Sequence, residues 1–121
     1  MAKNKHADQL GKSGELHVAR FLEHRHCRII ERNWRIKNGE IDIVAQSPDG
    51  IFLFIEVKSR SSEAFGHPLE SISPGKVQRL QKLALAWLVL HGKFGSEYRI
   101  DAAAVLIRRG VFEIDYREAV A

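Results

Sequence analysis

The chain is expected to fold as one α/β domain, a mixed β-sheet flanked by helices in the order α-β-β-β-α-β-β. Three observations predict this. Two stretches, about 10–26 and 75–91, place apolar residues at helical spacing. Five shorter stretches are rich in β-branched and aromatic residues. Short turns join the first three of these, whereas the second helical stretch separates the third from the fourth. Short turns make an antiparallel meander, and a helical crossover makes a parallel, right-handed pair.

Residues 1–10 are polar and are expected as a disordered tail, leaving 11–121 as the domain. In the first helix Glu15, Val18, Ala19 and Leu22 fall on one face, so a carboxylate shares the core-facing stripe. Gly11 and Gly14 weaken the start of this helix, which suits a close backbone approach. Glu15 reads equally well as a first-turn carboxylate favoured by the helix dipole and as a site residue. The first strand, 27–36, alternates Ile30, Arg32, Trp34 and Ile36 with Ile29, Glu31, Asn33 and Arg35. Lys37-Asn38-Gly39 is a turn.

The hairpin that follows carries the main signal. Its arms are 40–46 and 51–58, and Pro48-Asp49-Gly50 between them is a turn with Gly50 in the left-handed position. Ser47 then pairs with Ile51, Asp42 stands opposite Glu56, and Glu40 opposite Lys58. Both arms are mostly apolar, so burial is expected on both faces. Two buried carboxylates facing each other repel, and unpaired buried charge is costly. Something positive belongs between them: Lys58, an arginine from elsewhere, or a divalent metal. In the second arm Phe52 and Phe54 precede Glu56 and Lys58 on one face, while Ile51, Leu53, Ile55 and Val57 line the other. A face that turns charged only at its end marks a site at the end of a sheet.

Residues 61–75 lack periodicity and form a loop leaving that charged end. His67 within it reads as a solvated loop histidine, with a ligand or base as the alternative. The second helix buries Val77, Leu80, Ala84, Trp87 and Leu88, with Ser73 as cap and Pro74 in the first turn. Lys76, Arg79 and Lys82 form a basic stripe, by default a solvated face. Gly92 ends the helix. Tyr98–Ile107 is a fourth strand, buried from Asp101 onward, and Val111–Tyr116 a fifth.

Composition narrows the function classes. A chain of 121 residues with formal charge +4 mildly favours an anionic partner. There is no apolar run long enough for a transmembrane helix and no secretory leader, so no membrane role is expected. The single cysteine, Cys27, fits a reducing, cytoplasmic setting. No Cys/His spacing suggests zinc.

Asp42 followed by Glu56-Val57-Lys58 on the next strand has a chemical rationale. Two carboxylates and a backbone carbonyl suit a hard cation, Mg²⁺ or Mn²⁺. Lys58, two residues after Glu56, shares its strand face and can hold an attacking water or neutralise a phosphate. That is the chemistry of phosphodiester hydrolysis. An ion-paired strand end, Glu40 with Lys58 and Asp42 with an arginine, is the alternative. The pattern resembles the PD-(D/E)XK nuclease superfamily. More closely, Gly14-Glu15, Asn33-Trp34-Arg35, Gly39-Glu40-Ile41-Asp42, Glu56-Val57-Lys58-Ser59-Arg60, Phe65-Gly66 and Lys76 resemble the YraN-like family of uncharacterised bacterial proteins, related to archaeal Holliday junction resolvases.

The resemblance implies a restriction-endonuclease-like core and a metal-dependent endonuclease acting on branched or single-stranded DNA, with a homodimer as one possible assembly. It makes Asp42 and Glu56 metal ligands, Lys58 the catalytic lysine, and Glu15 a further acidic residue near the metal. Arg35, Arg60, Lys76 and Arg79 are the cations expected to meet the nucleic-acid backbone. Ile41 stands where the superfamily often has proline. A non-catalytic nucleic-acid-binding module and a protein-assembly factor on the same fold are the other readings.

Overall fold

The structure, a computed structural model, describes residues 5–61 and 67–121. Helix α1 spans Lys5–His24 and is followed by strands β1 (Arg28–Ile36), β2 (Gly39–Gln46) and β3 (Phe52–Arg60). A short 3-10 turn, Pro68–Ser71, leads into helix α2 (Pro74–Leu90) and then strands β4 (Tyr98–Arg108) and β5 (Val111–Arg117). The α/β class and the element order are those the sequence predicts. One boundary differs: α1 starts at Lys5, inside the stretch expected as a tail. Residues 5–10 contain Lys, Ala, Gln and Leu, all good helix formers, and no Gly or Pro to stop the helix. Residues 1–4 lie outside the described residues, as does Phe65-Gly66 in the expected loop.

The sheet runs β1-β2-β3-β4-β5. β3 and β4 are parallel, with α2 as the crossover, and the other neighbouring pairs are antiparallel. Ser73 caps α2 by accepting the Lys76 N–H at 3.2 Å, and Pro74 occupies the first turn. On one face of the sheet, Leu80, Leu83, Ala84, Trp87 and Leu88 of α2 pack against Ile41, Val44, Phe52, Phe54 and Ile100. On the other, Val18, Ala19 and Leu22 of α1 pack against Ile43, Ala45, Leu53, Ile55, Ala103 and Val105. α1 comes close to β3 because Gly14 has no side chain: a Cβ there would stand 1.9 Å from Ser59 Oγ.

The alternation expected along β1 breaks. Ile30 is an extra residue in the register between Ile29 and Glu31, and Asn33 takes a left-handed φ of 55°. Asn is among the residues that tolerate this conformation best. As a result Glu31 faces α2, where it accepts the Trp87 indole N–H at 3.0 Å, while Arg32 faces α1. A bulge moves every later side chain to the other face, and no pattern of residue types announces it here.

Among the described residues three charged side chains are buried: Asp42, Glu56 and Asp101. Asp101 is fully satisfied. Its carboxylate accepts two bonds from Arg99, the Tyr116 hydroxyl at 2.5 Å and the Ala119 N–H at 2.9 Å. Asp42 and Glu56 are the two the sequence singles out. No helix among the described residues is long and apolar enough to cross a membrane.

Candidate active site

The hairpin turn forms as its residues require. The Ser47 N–H bonds Ile51 O at 2.9 Å, and Gly50 has φ 88°, a conformation that glycine adopts without steric cost. The register that follows is the expected one, running from Gln46↔Phe52 to Ile43↔Ile55. It stops one pair before Asp42 and Glu56. Ile41 and Ile43, which share a face in a regular strand, here belong to opposite cores. β2 therefore turns away from β3 at Asp42. The Val57 N–H, left without a ladder partner on this side, donates to Asp42 Oδ2 at 2.7 Å. The carboxylate of Asp42 takes the place of the strand that has left.

The parting opens a cleft of about 390 Å³ at the end of the sheet. Glu40, Asp42 and Glu56 form its acidic side, Lys58, Lys76 and Arg79 its basic side, and Leu80 and Leu83 of α2 its apolar wall. Glu56 is 7% exposed and Asp42 8%, so both carboxylates are desolvated. Lys58 Nζ lies 3.2 Å and Lys76 Nζ 3.4 Å from the same oxygen, Glu56 Oε1. Arg79 is exposed on the rim and has no ion-pair partner among the described residues.

The electrostatics follow from this arrangement. Burial first, then the charge of Glu56, push the Asp42 carboxyl up to about 7, and the Val57 N–H only partly offsets them. Burial works against the charge of Lys58, but its hydrogen bond to Lys76 and the charge of Glu56 outweigh it and hold the ammonium above the ordinary lysine range. Lys76 moves the other way, lowered by burial and by Lys58 beside it.

Not every expected residue joins the cleft. Glu15 sits on the α1 side, where burial raises its pKa and Arg32 Nη2 approaches its carboxylate at 3.7 Å. Its charge reaches Asp42 as a minor influence. Among the described residues no group of three or more His, Cys, Asp or Glu side chains is gathered to hold a metal ion, so Glu15 is not brought together with Asp42 and Glu56. Arg35 bonds Glu40 at 2.8 Å on the exposed rim, which replaces the anticipated Glu40–Lys58 pair. Arg60 ends β3 outside the cleft lining. His67 is part-buried and held on both sides rather than a freely solvated loop histidine: its Nδ1 caps the 3-10 turn by accepting the Leu69 N–H at 3.1 Å, and its Nε2 lies 3.2 Å from Asp115.

The residue whose contact the sequence did not anticipate is Lys76, expected there as a basic-stripe cation that meets nucleic acid and found here against Glu56. Counting back from the buried Trp87, Leu83 and Leu80 at helical spacing leads to Lys76, which heads the inward face of α2. That was the available signal. The Val57 amide had none, since a backbone donor leaves no trace in side-chain pattern.

The model of the uncharacterised protein family UPF0102 matches residues 14–105. A UPF0102 protein from Renibacterium salmoninarum is 53% identical over 103 residues, covering 84% of this chain and 86% of that one. The chain belongs to the UPF0102 family. A second UPF0102 protein, from Beutenbergia cavernae, is 42% identical over 114 residues, covering 93% of this chain and 96% of its own. The YraN-like resemblance of the sequence is to this same family. Among solved structures, the Ca²⁺ complex of Pyrococcus furiosus SfsA overlaps at a TM-score of 0.43 with 20% identity, over 92% of this chain and 63% of that one. At that score the overlap is too loose to transfer anything to this UPF0102 protein.

The donor set of the cleft suits a divalent cation. Two desolvated carboxylates and the neighbouring Val57 carbonyl are hard oxygen donors, as Mg²⁺ or Mn²⁺ prefer. Burial, and after it the charge of Glu56, disfavour a charged Asp42, and a cation between the two carboxylates would offset both.

Proposed function

We propose that this UPF0102 protein is a Mg²⁺- or Mn²⁺-dependent nuclease that hydrolyses DNA phosphodiester bonds. One observation carries the reading: two buried carboxylates, Asp42 and Glu56, share a cleft at the sheet end with Lys58, Lys76 and Arg79. Asp42 and Glu56 would hold the cation, with the Val57 carbonyl beside them. A divalent ion bound there lowers the pKa of its water and draws charge from a phosphoryl oxygen.

The chain's own groups supply the rest. Lys58 keeps its proton and presents positive charge where a phosphate enters. Arg79, exposed on the rim and unpaired among the described residues, offers a planar fork that matches a phosphate. The exposed Arg35–Glu40 pair lies at the rim, and Leu80 and Leu83 make one wall apolar. The cleft is open at the sheet end, which suits an extended strand or a branched junction. Incubating linear, flapped and four-way DNA with Mn²⁺, with Asp42→Ala as control, tests the activity and its selectivity.

A second reading has its own support. Glu56 already receives two ammonium groups, so the cleft can satisfy one carboxylate without a cation. On this reading the chain binds nucleic acid or assembles with protein and cuts nothing. Titration calorimetry with Mn²⁺ separates the two: heat in the wild type that vanishes in Glu56→Ala supports the nuclease, and none in either supports the binding module.

A further inference from the structure

Lys58 and Lys76 address one oxygen, Glu56 Oε1, at 3.2 and 3.4 Å. Their positions are not equivalent. Lys58 is two residues from Glu56 on β3 and shares its strand face. Lys76 comes from α2, and Ser73 as cap with Pro74 and Gly75 following makes it the third residue of the helix. A cation in the first turn opposes the helix dipole. It also stands beside a second ammonium and is partly desolvated, since its side chain is 32% exposed. Three influences thus act against a charged Lys76 in this position, and the Glu56 carboxylate is the group that holds it there.

Resting on the metal-site reading above, we propose that Lys76 is a displaceable counter-ion. It neutralises Glu56 while the cation is away and yields that oxygen when a divalent ion arrives. A divalent ion on Glu56 would remove the attraction that holds Lys76 and repel it. The side chain is long, lines the cleft and is partly exposed, so its ammonium can swing toward the opening without movement of α2. There it stands near Arg79, on the side from which a phosphate enters. Lys76 is then a positioning residue that makes metal entry and phosphate binding favour one another. Lys58 stays beside Glu56 in both states.

The test is Mn²⁺ titration calorimetry on the full chain, without DNA, for wild type, Lys76→Met and Lys76→Arg. Methionine keeps the reach and removes the charge, and arginine keeps the charge. Lys76→Met is expected to bind Mn²⁺ about five-fold or more tighter than wild type, with Lys76→Arg near wild type. A merely structural lysine would weaken binding when replaced, so a gain in affinity is diagnostic. Thermal unfolding checks that the variant is folded, and Lys76→Gln serves in its place if it is not. Wild-type binding with no gain in the variant overturns the counter-ion role and leaves the metal site standing. Binding in the variant but not in the wild type supports the role. No binding in any of them overturns both the role and the metal site.

Discussion

Asp42 Oδ2 accepts the Val57 N–H at 2.7 Å across the point where β2 leaves β3. That bond explains how a carboxylate stays in a desolvated position beside Glu56. It closes the open end of the ladder, which would otherwise leave a part-buried donor unmet, and it holds Asp42 in the lining of the cleft. The side chain that ends the strand pairing is also one of the two carboxylates lining the cleft.

The first prediction concerns pH. The Asp42 carboxyl rises from 3.8 to about 7 in the folded protein, by burial and by Glu56. Its proton is therefore held more tightly in the folded chain. The stability this contributes is full below pH 4 and is lost as pH rises to about 7, an effect on the order of 2–4 kcal/mol. Asp42→Asn keeps an acceptor for Val57 and removes the charge, so it should flatten that decline and be more stable than wild type at pH 8. Asp42→Ala strands the amide and should cost about 1–3 kcal/mol relative to Asn. Urea unfolding at pH 5 and pH 8 in chelator checks both signs.

Glu15 should matter less than Glu56. It is paired with Arg32 on the α1 side rather than in the cleft. Glu15→Gln is expected to keep Mn²⁺ affinity within about three-fold, since its charge is only a minor influence on Asp42, while Glu56→Gln should abolish binding. Calorimetry that ranks them in the reverse order would return Glu15 to the ligand set.

The α1–β3 approach makes a packing prediction. The Ser59 hydroxyl is buried with no hydrogen-bond partner among the described residues. Ser59→Ala should be neutral or stabilising by up to about 1 kcal/mol, because it removes an unmet polar group. Gly14→Ala should cost about 1–3 kcal/mol, since its Cβ would strike Ser59 Oγ at 1.9 Å and crowd Ser59 Cβ at 3.1 Å, so the buried Ser59 side chain must give way. The double variant should cost less than the sum of the two, measured by chemical denaturation.

Asp101 offers a control on the other face of the sheet. Asp101→Ala removes the acceptor of the Tyr116 hydroxyl and the Ala119 N–H and leaves Arg99, among the described residues, with Glu118 alone, and should cost about 3–5 kcal/mol. Mn²⁺ affinity of the folded variant should match wild type. A loss of affinity equal to that of Glu56→Gln would show that the cleft depends on this network.

Much of this is legible in sequence because it depends on periodicity and turn chemistry. Phe52, Phe54, Leu53 and Ile55 alternate between the two cores as their spacing demands, and Pro48-Asp49-Gly50 sets the register that brings Asp42 level with Glu56. The departure of β2 at Asp42 is not legible, because it is a backbone event that no residue type marks. The same holds for β1, where Ile30 and Asn33 redirect Glu31 and Arg32. Of the site, Asp42, Glu56 and Lys58 are visible as a strand pattern. Lys76 reaches them from α2, on the inward face that its helical spacing from Leu80, Leu83 and Trp87 marks, but its partner Glu56 is set by the helix–sheet packing.

Cleavage of DNA in the presence of Mn²⁺ tests the central claim most directly. Wild-type protein is expected to cut at least one of the linear, flapped and four-way substrates, to stop in chelator, and to cut branched DNA faster than linear. Asp42→Ala should be inactive while binding DNA as before. Cleavage by Asp42→Ala at the wild-type rate, or no metal-dependent cleavage of any substrate by folded wild type, would contradict the account.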